Sequence, residues 1–60
     1  MIEVGKIYRY KEIQGKSPDP RTVFILSIEN RVVTFYYLNN PDRIYRENIR
    51  WATEYWVEVY

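Results

Sequence analysis

The sequence predicts one small all-β domain spanning residues 1–60, a barrel of four to five short strands with room for one helical turn near the C-terminus. Three observations lead there. The chain carries seven Tyr, two Trp and two Phe among sixty residues, and Val and Ile outnumber Leu and Ala, a bias that suits a pleated surface better than a helix. Its apolar residues fall in short runs separated by Gly, Pro, Asn and Asp, the punctuation of strands joined by turns. A chain of this length buries only about 60% of the surface its unfolded form exposes, and closing a sheet into a barrel removes its vulnerable edges.

Val4 to Ile13 reads as the first strand, with Val4, Tyr8 and Tyr10 on one face. Gln14 to Arg21 is a loop, because Gly15, Pro18 and Pro20 interrupt any ladder. Thr22 to Glu29 is the clearest strand, with Phe24, Leu26 and Ile28 alternating against Ile25, Ser27 and Glu29. Asn30 and Arg31 form a tight connection, since Asn tolerates positive φ. Val32 to Leu38 follows. With a two-residue turn, Ile28 faces Val33, Leu26 faces Phe35 and Phe24 faces Tyr37. The expected core is then Phe24, Leu26, Ile28, Val33 and Phe35, while Tyr36 and Leu38 point outward.

Asn39-Asn40-Pro41-Asp42 marks a second turn. Beyond it two patterns overlap. Tyr45, Ile49 and Trp51 fit one face of a strand, whereas Ile49, Ala52 and Trp56 fit a helical stripe. The scarcity of strong helix formers weighs for the strand, with Thr53 able to cap one helical turn through Glu54 and Tyr55. Trp56 to Tyr60 closes the chain as a short strand.

The residue inventory excludes much chemistry. Without histidine or cysteine there is no imidazole base, no thiol nucleophile, no disulfide and no zinc site of the usual kind. Asp19 and Asp42 sit among turn formers, Ser17 and Ser27 have no evident base, and the two glycines, Gly5 and Gly15, make no phosphate loop. The expectation is a protein that is not an enzyme and needs no cofactor. A net charge of +1 gives no electrostatic footprint for nucleic acid. No segment approaches the roughly 20 apolar residues of a membrane span, and the first residues lack the pattern of a secretory signal, so a cytoplasmic protein with no membrane partner is expected.

The opening Val4-Gly5-Lys6-Ile7-Tyr8-Arg9, followed by Val23-Phe24-Ile25-Leu26-Ser27-Ile28 and Val32-Val33-Thr34-Phe35-Tyr36, resembles small SH3-like barrel proteins of bacteria and their phages. The resemblance covers about residues 4–38. It implies an SH3-like barrel with a long loop after its first strand, and a phage accessory protein that binds and modulates a host or defence protein. It carries no catalytic residues with it, and fold-level analogy is a weak warrant for function.

The aromatic residues are the candidate binding residues. One small barrel cannot enclose all these rings, and tyrosine hydroxyls seek water or a partner. Tyr8, Tyr10, Tyr36, Tyr45, Trp51 and Tyr55 are therefore expected at the surface as a partner-binding set. Rings beside the proline-bearing loop would form a groove like that of peptide-binding SH3 domains. Arg43, Arg46 and Arg50, interleaved with Tyr45 and Trp51, offer an alternative stacking surface for single-stranded nucleic acid. Surplus apolar surface also predicts self-association as a twofold dimer through Tyr36, Leu38 and Tyr45, which leaves a structural or assembly role as a further alternative.

Overall fold

The computed structural model describes residues 1–11 and 21–59. Within them the strands are β1 (Ile7–Tyr10), β2 (Val23–Glu29), β3 (Val32–Tyr37), β4 (Asn40–Asn48) and β5 (Trp56–Glu58), with one short helix, α1 (Ile49–Tyr55), before β5. All pairings are antiparallel, in the order β4-β3-β2-β1-β5. The described residues thus form an all-β fold of five strands with a short helix near the C-terminus. The proline-bearing loop and the end of the expected first strand lie outside the described residues, apart from Lys11 and Arg21.

The central hairpin forms where its turn chemistry placed it. Asn30 and Arg31 both adopt left-handed backbone, with φ of 51° and 66°, which matches a two-residue turn to the twist of its strands. Glu29 pairs with Val32 and Ile28 with Val33. Two residues further on, the register shifts between Ile25 and Ser27. The extra residue, Leu26, corrects the expected pairing. Ile25 now faces Phe35, Phe24 faces Tyr36 and Val23 faces Tyr37. One inserted residue reverses the alternation beyond it. Val23 and Ile25 are therefore fully buried, whereas Leu26 is 39% exposed and Phe24 lies half-buried on the outward face. Ile28 packs against the core, and Val33 and Phe35 belong to it as expected.

β1 begins later than its sequence pattern suggested. Val4 and Gly5 form a turn. Gly5 has a φ of +81°, a conformation that side chains rarely adopt. Its amide donates to the carbonyl of Ile25 at 2.9 Å, and the Ile25 amide donates to Lys6 at 3.1 Å. This leaves Val4 exposed and separates it from Tyr8 and Tyr10. At the other edge, Lys6 and Glu58 form an ion pair at 3.6 Å, whose exposure makes it worth little.

Between residues 43 and 56 the strand favoured by the scarcity of helix formers ends early: Tyr45 lies on a strand, but Ile49 and Trp51, expected on the same strand face, fall in α1. Strand β4 begins at Asn40, so the second turn is at Leu38 and Asn39, and Pro41 and Asp42 belong to the strand. Pro41 is tolerable there because β4 is an edge strand. At Asn48 the chain turns into α1. The Asn48 side chain accepts from the Arg50 amide at 2.8 Å, and the Ile49 amide donates to the Arg31 carbonyl at 2.8 Å. Asn48, not Thr53, is the cap, because its side chain reaches a first-turn amide that has no partner inside the helix. Ala52 is buried and Ile49 packs on the core, so α1 turns these two residues inward, while Trp56 is buried in the same core as the first residue of β5.

Candidate functional site

The core floor is aromatic at one end. Phe35 and Trp56 meet edge to face with ring centroids 4.7 Å apart. Above them β1 and β3 end in Tyr10 and Tyr37, β4 contributes Tyr45, and α1 contributes Trp51 and Tyr55. Strand alternation carries Tyr10 and Tyr37 to the inner face, since Tyr10 pairs with buried Trp56 and Tyr37 with buried Val23. Tyr45 pairs with Phe35 and stacks on it at 5.8 Å. On α1, Trp51 and Tyr55 lie four residues apart and touch at 5.2 Å, as neighbours on one helix face do.

These rings form one continuous surface. Tyr37 meets Tyr45 edge to face at 5.2 Å, and Trp51 meets Tyr10 at 6.1 Å. The Tyr10 and Tyr37 hydroxyls are hydrogen-bonded at 2.9 Å. The end of α1 is fixed to β1 by the Lys11 amide, which donates to the Tyr55 carbonyl at 2.8 Å. The guanidinium of Arg21 lies over the Tyr10 ring and that of Arg43 over the Tyr45 ring, each 5.6 Å from the ring centre. Four of the rings are half-buried and Tyr55 is exposed.

Burial, followed by the hydrogen bond with Tyr10, raises the Tyr37 hydroxyl well above its ordinary pKa. It stays protonated, and a donor, throughout the neutral range. The buried Trp56 indole N–H finds no hydrogen-bond acceptor among the described residues.

Four of the expected binding residues, Tyr10, Tyr45, Trp51 and Tyr55, come together here. Tyr8 requires correction. Its ring is 2% exposed, and its hydroxyl accepts from the Glu3 amide at 2.8 Å and donates to the Met1 carbonyl at 3.2 Å. The chain's own first residues satisfy the hydroxyl that was expected to face a partner. Tyr36 also stands apart, on the outward face beside Phe24 at 5.5 Å. Tyr37 was read only as the partner of Phe24 and was not among the expected binding residues. Its signal was its place at the end of a strand, where an inward ring reaches the rim.

The three arginines do not share one surface. Arg43 is over Tyr45, Arg46 pairs with outward Thr34, and Arg50 sits in the first turn of α1. Among the described residues, no helix is long and apolar enough to cross a membrane. No family model, curated protein or solved structure matches the chain.

Proposed function

We propose that this chain is a non-catalytic module that binds another protein, and that the surface formed by Tyr10, Tyr37, Tyr45, Trp51 and Tyr55 makes the contact. The observation that carries this reading is the mutual packing of those rings. Tyr10, Tyr37, Tyr45 and Trp51 are each held by their neighbours and by Phe35 or Trp56 beneath, and Tyr55 rests on Trp51, so little freedom of the first four side chains remains to be lost on binding. Tyr and Trp are also the residues that most often anchor protein interfaces. The likeness of residues 4–38 to SH3-like barrels of bacteria and phages supports an accessory role, the modulation of a host or defence protein.

The test is a comparison of captured partners. The wild-type chain and a Tyr45→Ala/Trp51→Ala variant are immobilised and exposed to the same lysate. A partner retained by the first and lost by the second supports the reading. Equal retention by both, with the variant shown to be folded, places the contact elsewhere.

A further inference from the structure

We propose that the free edge of β4 takes an extended segment of the partner protein as an added antiparallel strand. The segment runs basic, acidic, apolar, apolar as it passes Glu47, Arg46, Tyr45 and Ile44. This rests on the reading of the aromatic surface as a protein contact, since Tyr45 belongs to both, and adds how the partner's backbone is held.

The first observation is where the main-chain groups of β4 point. β4 ends the strand order, so among the described residues no strand pairs with its outer side. Glu29 and Val32 close the two-residue turn, so Val32 directs its amide and carbonyl to β2 and Val33 turns its own toward β4. The Arg31 carbonyl follows the same alternation and accepts from the Ile49 amide at 2.8 Å. Val33–Glu47 and Phe35–Tyr45 are therefore the pairs that exchange hydrogen bonds. A carbonyl and the next amide point opposite ways across a planar trans peptide. The Ile44 carbonyl, the Arg46 amide and carbonyl, and the Asn48 amide thus face outward. Alternating acceptors and donors of this kind are what strand addition uses.

The second observation is how the edge is guarded. Pro41 and the register break opposite residues 41–44 blunt the first half of β4. The stretch from Tyr45 to Asn48 pairs regularly with β3 and carries neither device. Over residues 44–48, a twofold pairing of β4 with its own copy sets Arg46 against itself, and like charges directly opposite are unfavourable. A shift toward the C-terminus sets Glu47 against itself, and a shift the other way draws in residues 41–43. The edge therefore suits a different chain. Alternation supplies the pattern of that chain. Arg46 and Ile44 are exposed on the outward face, while Tyr45 and Glu47 pair with buried Phe35 and Val33 on the inner one. An acidic residue opposite Arg46 and a basic one opposite Glu47 complete two charge pairs. Apolar residues opposite Ile44 and Tyr45 cover the first and extend the aromatic surface at the second.

Short synthetic peptides with Lys-Glu-Leu-Val at their centre test this, followed by NMR shifts and amide exchange. The Arg46 and Asn48 amides should exchange rapidly in the free protein and slow as the peptide is added. N-methylation of the peptide's Glu and Val amides, which would face β4, should weaken binding at least about tenfold. N-methylation of its Lys and Leu amides, which would face away, should not. Exchanging Lys and Glu in the peptide should weaken binding about threefold. Arg46→Glu, at an exposed position, should leave the fold intact and remove that difference.

Peptide shifts at Trp51 and Tyr55 with exchange unchanged at Arg46 and Asn48 overturn strand addition and leave the protein-contact reading standing. An equal effect of the two N-methylations also overturns strand addition. Equal binding of the charge-exchanged peptide overturns the pattern assigned to the segment. Shifts confined to the outward face around Tyr36 overturn both readings. Slow exchange of the Arg46 and Asn48 amides in the protein alone would mean that a second copy already pairs with the edge, and would overturn the proposal of a different chain.

Discussion

Tyr8 and Tyr37 show how a single hydroxyl ties stability to pH. Both are raised above the ordinary tyrosine value, chiefly because burial disfavours the phenolate. An unfolded tyrosine loses its proton near about pH 10, whereas these two hold theirs further into base. In that interval the folded state carries more protons than the unfolded one. Stability is therefore complete below about pH 10 and declines as pH rises through the folded values. Urea midpoints should fall between about pH 8 and about pH 10.5, and a Tyr8→Phe/Tyr37→Phe variant should lose less over the same range. An equal fall in the variant would assign the alkaline loss to other groups. Neither tyrosine's environment was legible from its neighbours in sequence. The partner of Tyr37 is Tyr10, 27 residues away, and the acceptor that makes room for Tyr8 inside is the chain's own Met1 carbonyl.

At the scale of elements, what sequence could reveal depended on how local the cause was. The Asn30-Arg31 turn is set by two residues, and its position was readable. It also contains a cost, because Arg31 holds a φ of 66°, a region where a side chain crowds its own backbone. Arg31→Gly keeps the carbonyl that accepts from Ile49 and should raise stability by about 0.5–1 kcal/mol, read as a higher urea midpoint. A lower midpoint would mean that the Arg31 side chain contributes more than its backbone costs. The bulge at Leu26 has no such local mark. Val23 to Ile28 reads as an unbroken alternation, and only the pairing with β3 shows which half is reversed. The two registers predict opposite mutants. Ile25→Ala should cost about 2–5 kcal/mol, enough to unfold much of a chain this small. Phe24→Ala should leave a folded protein, since its ring lies half-buried on the outward face. An unfolded Phe24→Ala beside a folded Ile25→Ala would restore the unbulged register. The overlap of strand and helix signals after residue 43 has a similar explanation. The strand pattern holds only as far as Asn48, whose side chain caps the helix on the Arg50 amide and takes Ile49 and Trp51 out of the strand.

At the scale of the whole molecule, the described rings divide between two faces of one sheet, and the dimer we predict would use the outward face. That expectation drew on Tyr36, Leu38 and Tyr45. Tyr45 belongs to the aromatic surface, and Leu38 lies in the β3–β4 turn, which leaves Tyr36. It ends an outward row that register draws across three strands, from Ile7 through Phe24. Exposed Val57 pairs beside the row at Arg9, and exposed Leu26 follows Phe24 on β2. A stable interface covers about 800 Å² on each partner, about a sixth of the 4617 Å² that the molecule exposes. A twofold arrangement sets this one row against its own copy, so each apolar residue is covered without a second complementary patch. It also leaves the rings of the opposite face open to a ligand. Light scattering over a concentration series should show a monomer–dimer equilibrium between 7.4 kDa and twice that mass. Phe24→Lys should return it to monomer, and Trp51→Ala should leave it unchanged. A constant monomer mass up to about millimolar concentration, where even a dissociation constant of about 1 mM would register, removes the dimer. Loss of the dimer in Trp51→Ala instead would put the second copy on the aromatic surface, against the same rings proposed to meet another protein.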